Sequence, residues 1–298
     1  MRFLRKNIGC LAHLALILML FTDCTKKQET QPEIKAVWLH PGLFSLNEIK
    51  AVGQIDSLFN IYQDIGINNL FCYNTTSDEN SFDWDYLDVL IKEGHKKGIK
   101  IHPIFYPGYN VNLEKELVDN PAWLIRDMEG KYQPHFNLAN PDVRKNWVDK
   151  ISATLKYDID GIHLDYIRFP ITQVYSYDSA TCETFKMVYQ YSPVEVSHDC
   201  GSWAKTGLID FICPMLYTNN LDLFKEYLRN ALNIAGEKCK VYPDIGVHTA
   251  HNDITKELII KEVNITREEK TNGMVFFSGY SFNKEMRDTL KLSLFKQI

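Results

Sequence analysis

The sequence lacks three features that would point directly to a function: a basic stripe, a closely spaced metal-binding pair and an even set of cysteines. Its 33 basic and 38 acidic residues are interspersed and give a net charge of -5, which argues against a nucleic-acid partner. Neither C-x-x-C nor H-x-H occurs, so we expect no metal and no cofactor. The odd number of cysteines beyond residue 24 does not indicate a disulfide framework, although a bridge between Cys182 and Cys200 is compatible with an oxidising compartment.

The amino-terminal apolar run, residues 8–21, is too short to span a bilayer and follows a basic start, as in the hydrophobic segment of a signal peptide. The residues before Cys24 then resemble a bacterial lipoprotein cleavage box. We therefore predict a lipoprotein signal peptide over residues 1–23, a tether over 24–33 and a lipid on Cys24. This predicts a cell-envelope protein anchored to a membrane, at the outer membrane or in the periplasm or cell surface. The alternative is a plain secretory signal with an incidental cysteine.

From residue 34 onward, short apolar strands alternate with amphipathic helices, which indicates a parallel sheet covered by helices. One domain over residues 34–298 fits the length of an α/β barrel. The predicted strands are residues 35–40, 68–74, 100–106, 160–170, 210–220, 240–248 and 273–280. A closed barrel needs an eighth, and between Pro170 and Asp210 only residues 193–197 could form one. We therefore predict an α/β fold of the (β/α)₈ TIM-barrel type that is shortened or incomplete at the fifth βα unit.

Two signals predict helix starts, and one segment has no clear periodicity. Ser45 to Glu48 reads as an S-x-x-E capping box, and Asn140 with Pro141 combines an N-cap with proline at the first helical position. Residues 107–138 lack a clear period and are predicted as a long loop over the barrel mouth. Aromatic side chains in this loop that could stack on sugars are Tyr109, Trp123, Tyr132 and His135.

The stretch DGIHLDYIRFP, residues 160–170, places polar chemistry at the end of an apolar strand. Strand alternation puts His163 and Asp165 on the inward face and Tyr166 on the opposite face. We predict that Asp165 is the catalytic nucleophile or base, and that His163 and Arg168 set its charge state through hydrogen bonding and opposite charge. The alternative is that Asp165 only pairs with Arg168 at a strand end. Asp160 begins the strand, so it should lie at the bottom of the barrel and stabilise the turn.

Other polar side chains fall at or near predicted strand ends, where (β/α)₈ enzymes bind their substrates. Histidines and tyrosines around a carboxylate can hydrogen-bond sugar hydroxyls and stack on pyranose rings. For His102 and His163 the alternative is a satisfied interior histidine. The predicted substrate-binding residues are His40, Tyr73, His102, Tyr106, Tyr217, Asn219, His248 and Tyr280.

Five blocks of sequence together resemble the glycosyl-hydrolase-like family 10 proteins, in order and style. These blocks are residues 35–40, 94–102, 137–144, 160–170 and 207–217. The resemblance covers nearly all of the chain after the tether, and it implies a TIM-barrel hydrolase of glycans. Relatives in this family usually have a full helix and a fifth strand between the block that contains Asp165 and the block that contains Pro214. In this sequence the region between those two blocks is shorter.

Glycoside cleavage usually needs two carboxyl groups that flank the scissile bond. Asp165 is the first, and the candidates for the second are Asp78, Glu79, Glu195, Asp199 and Asp244. We therefore expect a glycoside hydrolase that acts on a polysaccharide or cell-wall glycan by carboxylate acid/base catalysis, with a carbohydrate polymer or oligosaccharide as its partner. The alternative is a catalytically inactive carbohydrate-binding lipoprotein on a degenerate barrel.

Overall fold

The computed structural model describes residues 32–73, 82–109, 112–127, 129–167, 200–249, 252 and 254–291. Several predictions from the sequence lie outside these ranges: the signal peptide, Cys24, Arg168, Cys182 and the candidate acids Asp78, Glu79, Glu195 and Asp199. Among the described helices, none has the length and apolar character needed to cross a bilayer.

A curled parallel sheet forms the centre of the protein. The strands are β1 Ile34–Leu39, β2 Asn69–Tyr73, β3 Lys100–Phe105, β4 Leu124–Arg126, β5 Tyr132–Phe136, β6 His163–Leu164, β7 Phe211–Ile212, β8 Lys240–Val241, β9 Asp244–Gly246 and β10 Gly273–Phe277. The central sheet has the order β6, β3, β2, β1, β10, β9. A second parallel pair joins β7 to β8, and an antiparallel pair joins β4 to β5.

Strands β8 and β9 are two parts of one strand that Pro243 interrupts, because proline has no N–H to donate. On either side of it, the Tyr242 N–H donates to the Ile212 carbonyl at 3.0 Å and the Asp244 N–H donates to the Pro214 carbonyl at 2.9 Å. This strand therefore links β7 to β10.

The sheet has seven strand positions, and within the described residues no strand joins β6 to β7. The described strands form a curled part of a (β/α)₈ barrel, consistent with the predicted fold, and most of the fifth unit lies outside the described residues. The predicted strands 160–170 and 210–220 are much shorter in the structure, where they are reduced to β6 and β7.

Helices cover the outer face of the sheet. They are α1 Glu48–Asp64, α2 Tyr86–Lys96, α3 Leu113–Asp119, α4 Pro141–Thr154, α5 Cys200–Thr206, α6 Leu221–Ala235, α7 Lys256–Glu268 and α8 Lys284–Thr289. The main core lies between sheet and helices, where Val37 and Leu39 of β1 join Ile55 and Phe59 of α1 in one fully buried cluster. Each such side chain contributes about 1.5–3 kcal/mol through burial. Alternate residues of the same strands point into the barrel, where Ala36, Trp38 and Phe71 belong to a second, smaller cluster.

One of the two predicted helix starts is confirmed. The Asn140 side chain accepts a hydrogen bond from the Asp142 N–H at 2.8 Å, and α4 begins at Pro141. The predicted capping box at Ser45 is wrong, because the Ser45 hydroxyl accepts from the Asn47 N–H instead. Asn47 then caps α1 by accepting from the Lys50 N–H at 3.1 Å.

The segment predicted as a long loop, residues 107–138, is instead largely structured. It contains α3 and a hairpin of β4 and β5. The hairpin turn is held by Asp127, whose carboxylate accepts from the Glu129 and Lys131 N–H groups, and by Gly130, whose φ of 77° favours glycine. Leu124 in β4 is buried, so the hairpin is packed rather than suspended in solvent.

The bottom of the barrel is held together by Asp160, as the sequence predicted. Its Oδ2 accepts from the Ile101 N–H and contacts His95 Nε2, both at 2.8 Å. The Asp160 N–H donates in turn to the Ile101 carbonyl at 3.0 Å. Asp160 therefore ties the start of the fourth barrel strand to β3, away from the mouth.

We expect Gly161→Ala to destabilise the protein by about 1–3 kcal/mol. A Cβ at Gly161 would lie 2.6 Å from His102 Nδ1. The His102 ring cannot move aside easily, because its Nε2 is bonded to Asn69 Oδ1 at 2.8 Å and the ring packs against Phe71. Urea denaturation measures the change. Gly53→Ala is the matched control: no atom lies within 4 Å of the added methyl group in α1, so it should stabilise the helix by about 0.5–1 kcal/mol. Equal stability of Gly161→Ala and wild type would contradict this packing.

We expect Glu262→Gln to remove a pH dependence from the free energy of unfolding. Glu262 of α7 is buried, and neither carboxyl oxygen has a hydrogen-bond partner among the described residues. Burial raises its pKa from 4.5 to about 8, so the native state favours the protonated form. The stabilisation is therefore complete below about pH 4.5 and is lost as the pH rises through about 8. Denaturation curves across this range should flatten in Glu262→Gln and stay unchanged in the control Glu226→Gln on the exposed face of α6.

Candidate active site

Two aspartates lie in the mouth of the incomplete barrel and share their neighbours. Burial raises the pKa of Tyr73, Tyr217 and Cys213, and the charges of both Asp165 and Asp244 raise it further. Tyr73 in β2, Cys213 directly after β7 and Tyr217 farther along the chain therefore all lie in the electrostatic field of both carboxylates. The structure therefore brings together the predicted catalytic residue and one of the candidates for the second carboxylate.

Asp244 is the more buried of the two aspartates. Its side chain is buried, and Oδ2 accepts a hydrogen bond from the Tyr217 hydroxyl at 2.6 Å. Oδ1 has no hydrogen-bond partner among the described residues. Burial raises the pKa of Asp244 to about 7, and the charge of Asp165 adds to this increase. The Tyr217 hydroxyl and the indole of Trp38 lower it in part, since both favour the ionised form. Asp244 can therefore hold and release a proton near neutral pH.

Asp165 is half-buried, and hydrogen bonds to the backbone fix both its side chain and its main chain. Its Oδ1 accepts from the Tyr166 N–H at 2.8 Å, and its own N–H donates to the Phe105 carbonyl at 2.7 Å. Its carboxylate therefore keeps contact with solvent while one oxygen accepts a backbone hydrogen bond. The two aspartates thus lie in contrasting environments, and such contrast separates the acid from the nucleophile or base in carboxylate pairs.

Gly246 allows Tyr217 to reach Asp244. A Cβ at Gly246 would lie 2.9 Å from Tyr217 Cδ1 and 2.5 Å from Asn252 Oδ1. Asn252 is itself buried, and its amide donates to the Gly246 carbonyl at 2.8 Å. A side chain at position 246 would therefore displace either the tyrosine or the loop that Asn252 anchors.

The predicted histidines have different environments. His163 is packed against Trp38 at 4.7 Å and Phe71 at 4.9 Å between ring centroids, and burial lowers its pKa to about 4. It is therefore neutral at physiological pH, and its surroundings do not support the predicted role in stabilising the charge of Asp165. His102 pairs in register with Phe71, and its Nε2 is bonded to the buried Asn69 Oδ1 at 2.8 Å, so we interpret it as an interior residue. His40 and His248 are exposed, and the His40 ring lies 5.4 Å from Tyr73.

The other predicted binding residues have varied surroundings. The charges of Asp165 and Asp244 add to the effect of burial in raising the pKa of Tyr73, and the ring of Tyr73 lies 6.0 Å from that of Tyr106. Asn219 is exposed in the segment between β7 and α6. Tyr280 lies in the short 3-10 helix Gly279–Ser281, and its side chain falls outside the described part, as does Arg168. Within the described residues, no group of three His, Cys, Asp or Glu side chains could hold a metal ion.

The sequence analysis missed two residues that shape this site. Trp38 points into the barrel from β1 and contacts His163, and its inward position follows from the alternation of a strand that the sequence did predict. Tyr166 was placed on the opposite face, which is wrong: its φ of 49° breaks the alternation, and its ring lies 5.3 Å from that of Tyr109 at the mouth. No local signal marks that conformation.

Comparison with known proteins relates this geometry to glycosidases. Residues 67–199 match the family model Glycosyl hydrolase-like 10. The PgaB (BpsB) glycoside hydrolase domain from Bordetella bronchiseptica is similar with a TM-score of 0.60 and 10% identity, over 88% of this chain and 100% of that one. The α-galactosidase TtGalA from Thermus thermophilus has a TM-score of 0.52 and 12% identity, over 89% of this chain and 62% of that one.

At these identities the structural similarity establishes the fold, and the comparison with curated proteins found no match. The fold is that of TIM-barrel glycosidases, and the family match covers the segment that carries Asp165. Residues 67–199, a little under half of the chain, are therefore similar to the glycosyl hydrolase-like 10 family.

Proposed function

We propose that the protein is a glycoside hydrolase that cleaves a polysaccharide or cell-wall glycan, with Asp165 and Asp244 as its carboxylate pair. The observation that carries this proposal is the contrast between the two aspartates in one mouth. Asp244 is buried with a pKa raised to about 7, whereas Asp165 is half-buried and accepts a backbone hydrogen bond. Glycosidases need this division between a proton donor and a nucleophile or base.

In this mechanism, Asp244 protonates the glycosidic oxygen of the leaving group, and Asp165 acts on the anomeric carbon directly or through a water molecule. Tyr217 orients Asp244 by donating to Oδ2, and we assign the proton transfer to Oδ1, which has no hydrogen-bond partner among the described residues. Tyr73, whose pKa is raised by burial and by Asp165, stays protonated and donates a hydrogen bond to a sugar hydroxyl. Proton transfer by a positioned acid contributes about 10²–10⁴-fold to the rate.

The test is the release of reducing ends from a panel of glycans, including peptidoglycan strands with and without stem peptides. Release by wild type, absent from an Asp165→Asn preparation purified in parallel, would support the hydrolase and exclude a contaminating enzyme. Binding to a glycan without any release would support the alternative, a carbohydrate-binding lipoprotein. The anomer of the first product, read by NMR, assigns Asp165 as nucleophile if configuration is retained and as base if it is inverted.

We also propose that the mature protein is anchored in the bacterial cell envelope through a lipid on Cys24. The support is the sequence alone: a short apolar segment after a basic start, followed by a polar tether. Fractionation of cells that produce wild type or Cys24→Ser tests the anchor. A Cys24→Ser protein that remains in the membrane fraction would exclude it.

A further inference from the structure

Aromatic rings continue from the catalytic pair along one side of the mouth. The ring of Tyr166, directly after Asp165, lies 5.3 Å from Tyr109, which lies 5.8 Å from His135 on β5. In the other direction, Tyr109 lies 6.3 Å from Tyr106. Tyr166 is 43% exposed and Tyr109 is 38% exposed, so both rings present a surface to solvent. The row runs outward from Asp165 toward the hairpin of β4 and β5.

The backbone holds Tyr166 in this row at a conformational cost. Its φ of 49° is in the left-handed region, which residues other than glycine rarely adopt. Two hydrogen bonds stabilise it: the Tyr166 N–H donates to Asp165 Oδ1 at 2.8 Å, and the Tyr166 carbonyl accepts from the Gly108 N–H at 3.0 Å. The same conformation that orients the Asp165 carboxylate therefore turns the Tyr166 ring toward Tyr109. Strained residues of this kind concentrate at functional sites.

The hairpin forms the far end of the row and is fixed to the same loop. His135 is bonded to the backbone of Gly108, the residue that also holds Tyr166, and burial lowers its pKa. Gly108 therefore uses one nitrogen of the imidazole, and the other nitrogen of the neutral ring can accept a hydrogen bond from a sugar hydroxyl. Arg126 of β4 stacks on Tyr132 of β5 and donates to its hydroxyl at 2.6 Å, which stiffens the hairpin. The aromatic row and the hairpin at its end are therefore held in place by contacts within the protein itself.

We propose that Tyr166, Tyr109 and His135 form a sugar subsite adjacent to Asp165, which binds the next unit of a glycan chain. This inference rests on the proposed hydrolase function and specifies its substrate class: a chain bound along the row, rather than a single terminal sugar held only at the carboxylates. The aromatic rings present apolar faces to the C–H groups of a pyranose, and the imidazole bonds its hydroxyls. Each additional sugar that reaches the row adds contact area without changing the chemistry at Asp165.

The test compares oligosaccharides of increasing length, from disaccharide to hexasaccharide, as both substrates and ligands. The probes are chito-oligosaccharides, cello-oligosaccharides and fragments of any glycan that the reducing-end panel identifies. For wild type, we expect kcat/KM to increase with chain length. Tyr109→Ala should raise KM for long chains by about tenfold, which corresponds to about 1.4 kcal/mol, and should change KM for the disaccharide less. The control is Tyr227→Ala, which removes a tyrosine of similar exposure from α6.

Binding to the Asp165→Asn protein, measured by calorimetry, separates this inference from the proposed hydrolysis. The asparagine Oδ1 can still accept from the Tyr166 N–H, so the row is expected to persist. Affinity that grows with chain length, and falls about tenfold when Tyr109→Ala is added, would support the subsite even if wild type hydrolyses nothing. Length-independent binding, equal loss in the Tyr227→Ala control, or no binding to any probe would overturn the subsite.

Discussion

Asp165→Asn is expected to lower kcat/KM for glycan hydrolysis by about 10³-fold or more. Asparagine keeps an acceptor for the Tyr166 N–H, but it can neither attack the anomeric carbon nor remove a proton from water. Because the side chain is half-buried and its backbone contact is retained, the free energy of unfolding should change by less than about 0.5 kcal/mol. Activity assays and thermal unfolding of the same preparations measure the two effects.

A matched control is Asp149→Asn, which removes an exposed carboxylate whose described contact is Lys145 at 2.6 Å. It should retain full activity and nearly full stability, since exposed ion pairs contribute little. Wild-type activity in Asp165→Asn would remove this residue from the catalytic site. A large loss of stability in the same variant would instead indicate that Asp165 is mainly structural.

The second large effect is expected from Asp244→Asn, which should lower the rate by about 10²–10⁴-fold and change the pH profile. The general acid must be protonated, and the pKa of Asp244 is raised to about 7, so wild-type activity should fall as the pH rises through about 7. The residual activity of Asp244→Asn should lack this alkaline limb, because the amide does not titrate. Rates measured across the neutral range, at constant ionic strength, show the difference.

Stability provides an independent readout for Asp244. Its folded pKa lies above the usual 3.8, so the stabilisation from its protonated form is complete below about pH 3.8 and is lost as the pH rises through about 7. Asp244→Asn should therefore be at least as stable as wild type above pH 7. Tyr217→Phe is the informative companion: removing the hydroxyl that favours the ionised form should raise the pKa and move the alkaline limb upward. An unchanged alkaline limb in Asp244→Asn would assign the titration to another group.

The strand pattern was predictable because each barrel strand carries its own local signal. Alternation in β1 places Val37 among the helices and Trp38 in the barrel, and the Asn140 cap with Pro141 marks the start of α4. The hairpin within residues 107–138 was missed, because its strands are short and its turn depends on Asp127 binding two backbone amides. Short strands are stabilised by partners rather than by their own sequence.

Local sequence was sufficient to predict the parallel strands of a (β/α)₈-type barrel and the position of Asp165 at a strand end. The pairing of Asp165 with Asp244 arose only in the folded chain, since the raised pKa of Asp244 depends first on burial by side chains from distant strands. Folding also placed His102 against Asn69 in the interior and turned Tyr166 toward Tyr109. Periodicity assigns a residue to a face, whereas depth in the barrel, desolvation and a left-handed backbone angle are set by contacts between elements far apart in the sequence.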